Sequence, residues 1–111
     1  MKVRLSPGGV VTQATNKSTA VVFHYRCGQI TMNNASLAAA AEVSFTVTNS
    51  HIGAADIPVV AIASGATAGA YSVTVDAVAD GSCRISVSNL SAGALGEALV
   101  LNFGVIKATV G

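Results

Sequence analysis

The chain has 111 residues, 51% of them hydrophobic, with six basic side chains against five acidic ones and a net charge of +1. So even a balance excludes a nucleic-acid stripe and a polybasic membrane patch, and although mean hydropathy is +0.61, no 18-residue apolar run exists to cross a membrane as a helix. A folded monomer of this mass exposes roughly 5,600 Å², about one charge per 500 Å², so large uncharged patches and assembly with other proteins are expected.

Residues 1–9 carry Lys2 and Arg4 but no apolar core of signal-peptide length after them, so residues 1–8 are expected to be an N-terminal extension rather than a secretion signal, with one domain over 9–111. Residues 10–13, 18–25 and 29–33 have the Val, Ile, Thr and aromatic content of short strands, the last two separated by Cys27 and Gly28. The alanine-rich stretch 35–41 has high helix propensity but only seven residues, which gives one helical turn or a loop.

Residues 42–49 alternate cleanly, with Val43, Phe45 and Val47 against Ser44, Thr46 and Thr48. Period two predicts a half-buried strand. The apolar run 57–63, with Pro58 near its start, predicts a buried strand, because a missing N–H is tolerated there. Residues 64–69 read as a flexible hairpin loop. Alternation resumes over 71–77 and 83–89, joined by Asp80, Gly81 and Ser82, which is a hairpin pattern.

Residues 91–97 form an Ala/Gly-rich connector ending in Glu, an echo of 35–42 too weak to be a repeat. The closing segment 97–107 sets Leu99, Leu101, Phe103 and Val105 on one face and Val100 and Ile106 on the other, as in a strand that is central or lies at a subunit contact. About eight strands at short, regular spacing predict an all-β fold, an antiparallel β-sandwich with jelly-roll-like connectivity.

Catalytic chemistry finds little support. His24 and His51 are the only histidines, and neither lies in a metal-ligand motif. The serines have no nucleophile-elbow sequence around them. Of the carboxylates, Glu42 and Glu97 open predicted strands and Asp80 serves a turn. Residues 64–69 lack the Lys and the following helix of a phosphate loop, and aromatic platforms for bases or sugars are scarce. No catalytic, metal or cofactor site is expected. Cys27 and Cys83 match no metal or redox spacing, and a disulfide between them stays open at this point. The densest polar-aromatic cluster is His24, Tyr25 and Arg26, residue types enriched at binding hot spots, and it is the expected partner contact.

Three stretches carry a family resemblance: 11–19 (VTQATNKST), 27–33 (CGQITMN) and 91–103 (SAGALGEALVLNF). They resemble a family of small β proteins and terminal modules encoded by tailed bacteriophages and prophages. The resemblance implies a non-enzymatic virion protein without cofactor, most simply a capsid decoration or cement protein. It would sit on the outer capsid surface after assembly in the host cytoplasm, bound to the major capsid protein as a homo-oligomer, with a trimer favoured by analogy and neither nucleic acid nor membrane as a partner. The alternative is a tail-fibre or spike tip, with loops 49–56 and 64–70 contacting a host receptor or glycan. At 20–26 (AVVFHYR) the chain departs from the more polar stretch expected before Cys27 and Gly28, which suits a partner-specific surface.

Overall fold

The computed structural model describes residues 8–108, so the expected extension lies outside the described residues except for Gly8. Eight strands follow in chain order: β1 (Gly9–Thr12), β2 (Val21–Val22), β3 (Cys27–Thr31), β4 (Glu42–Thr48), β5 (Ile57–Ser64), β6 (Tyr71–Ala79), β7 (Ser82–Asn89) and β8 (Val100–Ile106). They form two four-stranded sheets, ordered β1-β3-β8-β5 and β2-β4-β7-β6. The inner faces meet in one core that takes Ile30, Leu99, Leu101, Phe103 and Val105 from the first sheet, and Phe45, Val47, Ile85 and Val87 from the second. This is the β-sandwich that the alternating pattern predicts.

Both sheets are mixed. β1 runs parallel to β3 and β2 parallel to β4, while the other pairings are antiparallel. These parallel edge pairs depart from the antiparallel Greek keys of a jelly roll. They arise because the chain crosses between sheets at almost every connection and stays within one only from β6 to β7. There Asp80 and Gly81 form a two-residue turn between the paired Ala79 and Ser82, with Gly81 at φ 81°. Such a turn needs positive φ, which glycine adopts without steric cost.

Several expectations change for identifiable reasons. Cys27 and Gly28 do not separate strands but begin β3, where Gly28 lies opposite Gly9 at φ 148°. A Cβ on Gly28 would lie 2.1 Å from the Gly9 carbonyl oxygen, so the close approach of β1 depends on the missing side chain. The strand expected over 18–25 contracts to Val21–Val22. Asn16 closes a turn by accepting the Ser18 N–H at 2.9 Å, and beyond Val22 the chain leaves the ladder once Phe23 N–H has bonded to Thr48. Residues 35–41 take the loop alternative rather than a helical turn, and Leu37 bridges Leu95, joining the two alanine-rich connectors. The run 57–63 is not buried. As β5 it is the free edge of the first sheet, with Ile57 and Val59 exposed and only Pro58 fully covered. The loop after it crosses to the other sheet rather than closing a hairpin.

The closing strand takes the central option, since β8 lies between β3 and β5. Phe103 is 3% exposed and meets Phe23 edge-on at 5.7 Å, and Phe45 is its counterpart in the opposite sheet. Phe103→Ala and Phe45→Ala should each cost about 3–5 kcal/mol in chemical denaturation. Gly28→Ala should destabilise through backbone collision, and a variant as stable as the native chain would show that β1 does not pack as described.

Candidate functional site

The loops divide between two poles. One pole gathers residues 23–26, 49–56, 80–81 and 107–108, and the other gathers 13–20, 32–41, 65–70 and 90–99. His24, Tyr25 and Arg26 stand together at the first pole, on the connection from β2 to β3, and all three are exposed. Their backbone is fastened: Tyr25 O accepts from Asn49 Nδ2 at 2.7 Å, and Arg26 O accepts the Val105 N–H at 2.8 Å. His24 Nδ1 accepts the Ser50 N–H at 3.0 Å, which leaves its Nε2 edge to solvent.

Tyr25 is less free than an isolated contact residue. Its ring covers Gly9, where an added Cβ would lie 2.3 Å from the ring carbons, and it is tilted against Phe23 at 5.2 Å between centroids. The guanidinium of Arg26 has no ion-pair partner among the described residues, so of the three it is the group most available to a partner. Beside the cluster, Lys107 pairs with Asp56 and donates to His51 O at 3.1 Å. Lys107 and the Gly53 N–H hold the Asp56 carboxyl below its ordinary range.

The second pole is a polar node that the sequence did not disclose. Lys17 is buried, and its Nζ donates to the carbonyls of Asn33 and, at 2.6 Å, Glu97. Gln13, also buried, donates to Lys17 O at 2.9 Å and to Thr19 O at 3.0 Å, and accepts the Asn33 N–H at 3.0 Å. Burial pushes the Lys17 ammonium below its ordinary pKa, with the Glu97 charge partly opposing. The Thr67 N–H and the Tyr71 hydroxyl hold the Glu97 carboxyl low. Burial, then the bond to Glu97, raises Tyr71 to about 12. The three stretches that carry the family resemblance all supply residues to this node. Its only sequence signal is polar residues in connectors between strands.

The outer faces differ in chemistry. The second sheet presents Ser44, Thr46, Ser72, Thr74, Ser82 and Ser88, with Arg84 bonded to Asp76 at 2.8 Å where a bulge lifts Asp76 from the ladder, and Ser86 buried beneath them donating to Asp76 at 2.6 Å. The first sheet presents an apolar strip of Ile57, Val59 and Ala61 of β5 beside Val100, Gly104 and Ile106 of β8, and a polar half with Thr12, Thr31 and Gln29, whose Nε2 donates to Asn102 Oδ1 at 3.0 Å. Gly104 leaves a shallow trough of about 300 Å³ bordered by Val59, Ala61 and Asn102. The backbone carbonyl of Arg26 accepts the Val105 N–H where β8 reaches the first pole.

Among the described residues, no group of three or more His, Cys, Asp or Glu could hold a metal ion. The cysteines are unbonded, Cys27 exposed on one sheet and Cys83 buried on the other, and burial pushes the Cys83 thiol up to about 11. Loops 49–56 and 64–70, expected to act jointly in a fibre tip, lie at opposite poles. No known protein family, curated protein or solved structure matches the chain.

These shifts fix a pH profile. Asp56, Asp76 and Glu97 have lowered values, so their contribution is present above the ordinary carboxylate range and is lost as pH falls through the folded values. Tyr71 and Cys83 have raised values, so theirs is complete at neutral pH and is lost as pH rises from the unfolded values toward about 12 and about 11 respectively. Lys17 opposes the alkaline loss, since its lowered value favours the fold as pH rises. Tm should be flat between about pH 5 and 8 and fall on both sides. A Tyr71→Phe, Cys83→Ala double variant should lose much of the alkaline fall, and an unchanged alkaline limb in thermal melts would remove these two groups as its cause.

Proposed function

We propose that this protein is a non-enzymatic structural component of a bacteriophage virion, a decoration or cement protein that lies on the outer head surface. It binds the capsid shell through the apolar strip on the outer face of the first sheet and the adjoining rim of His24, Tyr25 and Arg26. The observation that carries this reading is the contrast between faces: one sandwich has a hydroxyl-lined outer face suited to water and, on the other, an apolar strip with a trough along β5 and β8. Exposed apolar surface of this kind favours a contact site. With a net charge of +1, long-range steering is weak, which suits a component placed by close packing on an assembled lattice.

A fibre or spike tip ranks second. Its two expected contact loops are at opposite poles, so a receptor could engage only one of them at a time.

The test is binding to purified expanded heads. The native protein should bind saturably and raise the temperature at which heads disrupt. Gly104→Arg fills the trough and Arg26→Glu reverses the rim charge, and each should weaken binding by about tenfold or more, whereas Thr46→Glu on the hydroxyl face should not. Tyr25→Ala is a poorer probe, because its ring also covers Gly9 and the change should lower stability, though by less than Phe103→Ala. Binding to host cells and blocked adsorption, with no binding to heads, would transfer the assignment to the fibre tip.

A further inference from the structure

The free edges of the two sheets are unequal. β1 has four residues and β2 two, too short to template another strand, and β6 is interrupted by the bulge that carries Asp76. β5 has eight residues, Ile57–Ser64, without a charged side chain, and its own register shift lies near its end, between Ile62 and Ser64. Uncharged edges of this length are where another strand adds.

The backbone directions on β5 can be derived. The Val105 N–H bonds to Arg26 and Leu99 O accepts from Met32, so the odd-numbered residues of β8 turn their polar groups toward β3 and the even-numbered ones toward β5. The β5 partners of Asn102, Gly104 and Ile106 are Ala61, Val59 and Ile57, which use their groups on β8. Alternation then directs Pro58, Val60 and Ile62 to the free edge. Pro58 therefore sits where its missing N–H breaks no bond within the sheet. The edge offers the N–H groups of Val60 and Ile62 and the carbonyls of Pro58, Val60 and Ile62.

We propose that this edge pairs antiparallel with β5 of a second copy of the chain, about a twofold axis through Val60. In that register each Val60 exchanges both backbone bonds with its counterpart, and each Ile62 N–H donates to Pro58 of the partner subunit. Opposite the proline nitrogen each Ile62 carbonyl is left to solvent, so the register makes four of the six edge bonds and forfeits one at each end. Charge does not oppose the pairing: Asp56 before β5 is neutralised by Lys107, and antiparallel geometry puts the two copies of Asp56 at opposite ends.

Core exposure on the same side supports the second copy as occupant. Ile62 faces Leu101 across the ladder and Val78 faces the buried Cys83, yet each is 36% exposed on the edge strand of its sheet. A β5 edge about 27 Å long and a double layer about 20 Å deep bury roughly 1,100 Å² in total. That just exceeds the roughly 1,000 Å² expected of a specific interface, so the dimer should be reversible. Pairing would also join the apolar strips of two first sheets within one continuous eight-stranded surface. The twofold takes the place of the trimer that the family resemblance implies, and it is testable on the pure protein without heads.

Sedimentation velocity from micromolar to millimolar concentration should show a monomer–dimer equilibrium. Hydrogen exchange at the Val60 and Ile62 amides should slow as concentration rises. Ile62→Lys places a charge on the edge and should weaken dimerisation by about tenfold or more, with Val60→Pro, which removes the central donor, as a second variant. If either variant fails to fold, concentration-dependent exchange in the native chain decides. A trimer, a monomer throughout, equal association by folded Ile62→Lys, or concentration-independent exchange at both amides would overturn the proposal. Loss of head binding with dimerisation intact would instead count against the decoration reading alone.

Discussion

A lysine ammonium buried among backbone carbonyls is the constraint on which the loop architecture rests. Taking a charge out of water costs several kcal/mol unless its donors are used, and Lys17 uses them on Asn33 and Glu97, from connectors far apart in sequence. Gln13 then holds the Lys17 carbonyl and the Asn33 amide, so the ends of β1 and β3 and the approach to β8 are positioned by one set of bonds. Glu97 extends the set to Thr67 and Tyr71 at the start of β6. A sandwich whose chain changes sheets at nearly every connection has few local contacts to fix its loops. This node supplies the long-range ones.

Asparagines extend the same device. Asn89 donates to Leu37 and Gly93, both at 2.9 Å, and joins the two alanine-rich connectors that Leu37 and Leu95 already bridge. Asn49 does the equivalent at the other pole, bonding Tyr25 O while its own oxygen accepts the His51 N–H at 2.8 Å. Every buried side-chain polar atom among the described residues has a partner. The loops are thus ordered by buried amides, one buried lysine and single carboxylates such as Glu97 and Asp56, and the scarcity of charge does not leave the fold without specificity.

The strands were legible where one face is buried and the other solvated. In β4, β6, β7 and β8 the alternation of Val, Phe, Ile or Leu with Ser, Thr and Asn reports the pleat directly. β5 misled for the converse reason. A continuous apolar run reads as burial on both faces, but here one face is open because the strand is an edge beside the trough. The crossings were illegible, since nothing local distinguishes a loop that closes a hairpin from one that spans the sandwich. The Lys17 node was hidden because a lysine in a Ser/Thr/Asn-rich connector looks solvated until Asn33 and Glu97 converge on it. The cluster of His24, Tyr25 and Arg26 could be located from composition, but the seating of Tyr25 on Gly9 depends on the parallel β1–β3 pairing, a nonlocal feature.

Low charge acquires a sharper meaning once the faces and edges are separated. On the second sheet it is offset by hydroxyls, on the β1 and β2 edges by brevity, and on β6 by the charged Asp76 at its bulge. It remains uncompensated only on β5 and the β8 surface beside it, where an apolar face and an open backbone edge adjoin. An edge of this kind would invite indiscriminate strand addition in a freely diffusing protein. Pro58 restricts it, because the proline nitrogen can donate in no register; the self-paired register centred on Val60 keeps both central bonds and moves the loss to the two outer pairs. Stickiness is converted into geometry: the residues that leave the surface uncharged also limit which neighbouring strand the edge can accept.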